Sequence, residues 1–162
     1  MTTDSSSFST TDDALVYKAA GRYNFNTMRP VWEWETERDE ATFVRHGYWC
    51  QIKRNPELKT LCGYVLIGRT HPYWTSNVDL DVHGGVTFDD STKVGFDCAH
   101  AGDLIPRGVV QMGWTDPRIA MGNRIPETYR NWAFVEREVD KLAKQLRALD
   151  TREIPMTQPD PD

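Results

Sequence analysis

Trp132, Val135, Val139, Leu142, Leu146 and Leu149 recur at spacings of 3, 4, 3, 4 and 3. That is the period of one face of an α-helix. Charged and polar residues fill the positions between them, so the segment has one apolar stripe and needs one apolar surface to cover it. Pro126 suits the first turn of such a helix. Everything upstream reads as strands and loops. Strands first and a single long helix last imply an α+β fold, a mainly antiparallel β-sheet packed by a long C-terminal helix. The same spacing would serve a dimer through the C-terminal helix, although fewer than three heptads is short for a coiled coil.

The strand signals are period-two alternations and short apolar runs. "PVWEWETE" puts Val31, Glu33 and Glu35 on one face and Trp32 and Trp34 on the other. In "TFVRHGYWCQIKR", Val44, His46, Tyr48, Cys50 and Ile52 share a face by the same rule. "NPE" signals a turn, and "LCGYVLIG" reads as a buried strand. A hairpin centred on Pro56-Glu57 would bring Cys50 close to Cys62; two buried thiols are the simplest account, with a redox pair or shared metal ligation as the alternative. "THPYWTSN" reads as a loop. "VDLDVHGGVTFDD" reads as a strand interrupted at Gly84-Gly85, which marks a bulge or a close approach. "KVGFDC" follows as a strand across the turn "DDST". From Ala99 to Ile125 the chain is loop-like.

A chain of 162 residues favours one domain. Residues 1–13 are rich in Ser, Thr and Asp and read as a disordered tail, residues 14–149 as a single α+β domain, and residues 150–162, with three prolines, as a second tail. The net charge of −5 argues against a strong grip on nucleic acid. Arg45, Lys53 and Arg54 around Tyr48 and Trp49 form a local basic stretch, for which exposed strand charges are the commoner explanation. No apolar run approaches the ~20 residues of a membrane span, and "MTTDSSSFSTTDDA" lacks the features of a secretory signal. Three widely spaced cysteines are no disulfide framework. These features together point to a cytoplasmic protein.

The chemistry-bearing residues concentrate in "DVHGGVTFDDSTKVGFDCAHAGD", residues 81–103. If its two strands pair about a centre near residue 90, His83 faces Asp97. Three chemistries fit. His83, Asp97, His100 and Asp103 offer imidazole and carboxylate ligands for a divalent metal such as zinc or manganese, with positions open for water. Cys98 is a candidate catalytic nucleophile, with a histidine as base and the Gly84 and Gly85 amides stabilising an oxyanion. The third has no reaction: the aspartates cap turns and His83 is a hydrogen-bonded core residue. His71, in "THPYW", joins Gly84 and Gly85 as a candidate ligand-binding residue from the neighbouring loop.

"LCGYVLIGRTHPYW", "DVHGGVTF", "VGFDCAHAGD" and "YRNWAFVEREVDKLAKQL" together resemble a family of small proteins encoded by bacteriophages and prophages. The shared pattern is a GYV strand, an HP loop, an HGG motif and GFDCAHxGD, ending in a helix, over about residues 60–149. The resemblance implies an accessory protein of the host bacterial cytosol, of the kind that modifies or blocks host machinery. It transfers no activity. Two expectations follow: a small metal-assisted hydrolase or nucleotide-binding enzyme, its substrate a phosphoester or small nucleotide-like ligand; or a non-catalytic protein that binds and inhibits a host bacterial protein, with Trp32, Trp34 and Trp114 as the contact surface.

Overall fold

The computed structural model describes residues 20–24, 26, 29–111 and 127–151. Both tails beyond these limits, Trp114 and Pro126 lie outside the described residues. β1 (Ala20–Asn24) and β2 (Arg29–Trp32) pair as an antiparallel ribbon. One helical turn, α1 (Glu33–Thr36), follows directly. The alternation in "PVWEWETE" therefore stops at Trp32. The Glu35 carboxylate accepts from the Trp32 amide at 2.9 Å and closes the turn. Its effect is to stack the Trp32 and Trp34 rings, 5.0 Å apart and 4° from parallel. Both rings are buried, in a second core with Leu104, Val109 and Tyr129. They are not the exposed contact surface expected of them.

The main sheet has five antiparallel strands: β3 (Glu40–Arg45), β4 (Tyr48–Arg54), β5 (Leu61–Leu66), β6 (Phe88–Asp89) and β7 (Lys93–Asp97), in the order β3-β4-β5-β7-β6. "TFVRHGYWCQIKR" is two strands rather than one. His46 and Gly47, at φ 50° and 84°, make the two-residue turn between them. Tyr48, Cys50 and Ile52 do share a buried face. Val44 pairs with Trp49 and so lies on the other one.

The next hairpin is also shifted. Asn55 Oδ1 accepts from the Glu57 and Leu58 amides, both at 2.9 Å, and the turn widens to reach Thr60. Cys50 then pairs with Val65, and Cys62 with Lys53. The two cysteines sit on opposite faces and form no pair. The basic stretch is neutralised where it stands: Arg45 meets Glu136, Lys53 meets Glu40, and Arg54 meets Glu37 and Asp39.

α2 (Pro106–Gln111) interrupts the segment expected to be all loop. α3 (Trp132–Leu149) is the helix of the apolar stripe. It starts at Trp132, where Asn131 Oδ1 caps the Phe134 amide at 2.9 Å. Val135, Val139, Leu142, Ala143 and Leu146 are wholly buried against Cys50, Ile52, Leu61, Val65, Val94 and Phe96. Each Val or Leu removed from water there contributes ~1.5–3 kcal/mol. Gly63 sets the distance of approach, because a Cβ at that position would lie 2.5 Å from Val139 Cγ2 and 2.7 Å from the Phe96 ring. The stripe is thus spent on the sheet, and a dimer through it would have to expose the core. Asp150, just past the helix, is itself buried. No described helix is long and apolar enough to cross a membrane.

Candidate functional site

Leu80 and Val82 are buried as a strand pattern predicts, but this segment joins no sheet. It runs along α3, whose side chains satisfy its backbone. Gln145 takes the Asp81 amide and gives to the Asp81 carbonyl, both at 2.8 Å, and Glu138 accepts from the His83 amide at 2.8 Å. Gly84 and Gly85, at φ 68° and 83°, then turn the chain away. Only Phe88 and Asp89 remain to pair with β7.

Their partners are Gly95 and Val94. Asp90 Oδ1 holds the amides of Thr92 and Lys93, which moves the turn centre past residue 90. His83 is therefore not the cross-strand neighbour of Asp97, which pairs across β5 with Cys62. Continuing the observed register would set residue 83 level with residue 100, and His83 and His100 do meet: their rings stand edge to face, 5.3 Å apart.

Asp103 reaches them because the chain after β7 folds back. Asp97 Oδ1 accepts from the Ala99 amide at 2.9 Å, and the Asp103 amide donates to the His100 carbonyl at 2.9 Å. Residues 102–104 are then pinned to Thr128 by two backbone hydrogen bonds. The same pin delivers Arg130, two residues on, to the far side of the Asp103 carboxylate.

The Asp103 side chain is fully buried. Its Oδ1 accepts from Arg130 Nε at 2.7 Å. Its Oδ2 lies 2.8 Å from His83 Nε2, 3.0 Å from the His100 amide and 3.5 Å from His100 Nδ1. Burial works against the charged carboxylate. The hydrogen bonds from His83, Arg130 and the His100 amide outweigh it, so the Asp103 carboxyl stays below its ordinary value. His100 Nδ1 is buried with no hydrogen-bond partner among the described residues. His83, His100 and Asp103 each offer one ligand atom, and these atoms lie within 4.8 Å of one another.

The remaining predicted site residues divide. Gly84 belongs to the cluster, though not as a ligand contact: a Cβ there would fall 2.1–2.4 Å from three atoms of the His100 ring. The close approach read from the glycine pair is made by His100. The Gly85 amide donates to the Val82 carbonyl at 2.8 Å and is not free to stabilise an oxyanion. Asp97 stands at the margin, its Oδ1 3.8 Å from His100 Nδ1. Cys98 is 2% exposed, and burial pushes its thiol well up. That is the environment of a packed thiol, not of an attacking thiolate.

His71 is engaged in a different cluster. Its Nδ1 accepts from the Tyr73 amide at 3.0 Å, capping a 3₁₀ turn over Pro72–Thr75. Its Nε2 lies 2.9 Å from Tyr48 Oη and 3.7 Å from Asp150.

Three neighbours have no local sequence signal: Arg130 on Asp103, Glu138 on the His83 amide, and Phe134, whose ring stands 5.2 Å from that of His83. Phe134 and Glu138, four residues apart, share one side of α3, while Arg130 precedes its first residue. No family model, curated protein or solved structure matches the chain.

Proposed function

We propose that His83, His100 and Asp103 bind a divalent cation, zinc or manganese, in a small phage-type hydrolase or nucleotide-binding enzyme of the host bacterial cytosol. The observation that carries this is the position of Asp103 Oδ2. It lies 2.8 Å from His83 Nε2 and 3.5 Å from His100 Nδ1. Those distances bracket the ~3.3 Å edge of a tetrahedron with ~2.0 Å bonds, the geometry of zinc on nitrogen and oxygen. The third ligand pair, His83 and His100, completes a set whose atoms lie within 4.8 Å of one another.

Two histidines and one carboxylate leave a coordination position open, as catalytic sites do. A cation bound there supplies a Lewis acid and a water with a pKa lowered toward ~7. The chain's own residues do the rest. Arg130 holds Asp103 from behind, as second-layer partners orient ligating carboxylates. Phe134 packs against the His83 ring and shields one side of it from water.

The other reading, a non-catalytic protein that inhibits a host protein, draws support from the ion pair that the half-buried Arg130 makes to the buried Asp103 carboxylate. In that case the cluster is a staple joining residues 83, 100 and 103 to the start of α3. The decisive experiment is elemental analysis of protein purified without chelator, repeated on His83→Ala and His100→Ala. Stoichiometric metal in the native protein, lost in both variants while the fold persists, supports the enzyme reading. Native protein without metal overturns it. Metal that leaves together with the fold favours the staple.

A further inference from the structure

Arg130, Phe134 and Arg137 are joined to the cluster through the Phe134 ring. The Arg130 guanidinium stands over the Phe134 ring at 4.8 Å from its centroid, and that of Arg137 at 5.9 Å. The His83 ring meets the same phenyl group at 5.2 Å. One ring thus organises two guanidiniums and one of the proposed cation ligands. Arg130 spends only its Nε–H on Asp103, so its terminal N–H groups have no partner among the described residues. Arg137 is exposed and makes no hydrogen bond or ion pair among the described residues.

This is not for lack of acids nearby. Glu136 is taken by Arg45 at 2.7 Å, and Asp140 by His46 at 3.1 Å. Glu138 is taken by Lys141 at 3.1 Å and by the His83 amide. Every acidic neighbour of Arg137 on α3 is engaged elsewhere. The arginine lines a surface groove with Arg45, Ala133, Glu136 and Asp140.

We propose that Arg130 and Arg137 form the recognition half of this site and that its ligand carries a phosphate group. A guanidinium offers a planar fork of donors that matches phosphate oxygens, and stacking on a phenyl face holds that fork in place before the ligand arrives. Both guanidiniums lie within about 6 Å of the Phe134 centroid, so one ring steadies both forks. The substrate class is thereby a phosphoester, presented with one oxygen toward His83 and His100. This deepens the cation-site reading and rests on it for the reacting centre. The arginine row itself can be tested without the cation.

The probe is inorganic phosphate, titrated calorimetrically into zinc-loaded and chelator-treated protein. Arg137→Gln, at an exposed position, is compared with Lys53→Gln, which removes the same charge from the far face of the sheet. Phosphate should saturate the wild type and Lys53→Gln alike, and bind about tenfold more weakly to Arg137→Gln. No saturable binding by the wild type, or equal binding by Arg137→Gln, overturns the proposal. Zinc uptake is measured in the same samples. Arg137-dependent phosphate binding without zinc uptake supports the arginine row and sinks the cation site. Zinc uptake without Arg137-dependent binding sinks the row alone.

Discussion

His83 Nε2 and Asp103 Oδ2 meet at 2.8 Å across 20 residues of sequence, and Arg130, 27 residues beyond Asp103, closes the other side of the same carboxylate. The buried aspartate is the hinge of the whole cluster. Replacing it with alanine leaves Arg130 and His83 facing an uncompensated gap. Asp103→Ala should cost about 3 kcal/mol of stability, read from urea unfolding at neutral pH. A loss under 1 kcal/mol would mean that the three groups are held by their surroundings and not by one another.

The same residue sets an acid limit. The native Asp103 carboxyl sits below its ordinary value, so the folded chain keeps it ionised where the unfolded chain, near ~3.9, takes up a proton. Its contribution is present above about pH 4 and is lost as the pH falls through the native value. Wild-type stability should therefore decline with a steeper slope below about pH 4 than that of Asp103→Asn. Parallel slopes would remove Asp103 from the account of acid unfolding.

Gly84→Ala tests why the glycine is there. The new methyl group meets the His100 ring, and the backbone is held at φ 68°, where a side chain adds strain. The variant should lose ~1–3 kcal/mol and displace the His100 ring, visible as a shift of its imidazole proton resonances. Gly85→Ala has open space for its methyl group and suffers only the backbone strain. Unchanged His100 resonances in Gly84→Ala would show that the ring has room to spare.

Thiol labelling separates a nucleophile from a packed cysteine. Cys62 is half-buried, whereas Cys50 and Cys98 are buried and burial raises both thiols, Cys50 to about 12. An aromatic disulfide reagent at pH 8 should modify Cys62 first and reach Cys50 and Cys98 only in denaturant. Rapid native modification of Cys98 would reopen its candidacy as a nucleophile.

Leu142→Ala measures the helix-to-sheet seam. Its side chain is wholly buried in the main core, so truncation should cost ~2–5 kcal/mol by chemical denaturation. A smaller loss would mean that α3 can settle into the space.

Much of the fold is legible in local pattern. The stripe from Trp132 to Leu149 announces a helix with one face to hide, and "LCGYVLIG" announces the strand it hides against. Turns are harder to read. His46-Gly47 breaks what looks like one strand, and the Asn55 side chain moves a hairpin centre enough to send Cys50 and Cys62 to opposite faces. Register is set by hydrogen bonds in the turn, which residue type only hints at. The site was half readable for the same reason. Histidines, aspartates and glycines crowd visibly between residues 81 and 103, but the pairing of His83 with Asp97 assumed a ladder that ends at Phe88.

The sequence by itself determined the antiparallel α+β plan, because period-two and 3.6-residue patterns are consequences of backbone geometry and survive without neighbours. It also marked Gly84-Gly85 as a bulge or a close approach. Only the tertiary structure decided what approaches, that His71 belongs to Tyr48 and Asp150, and that Arg130 stands behind Asp103. Those are meetings between residues far apart in the chain, and they depend on how the helix lies on the sheet. A local pattern carries no record of that distance.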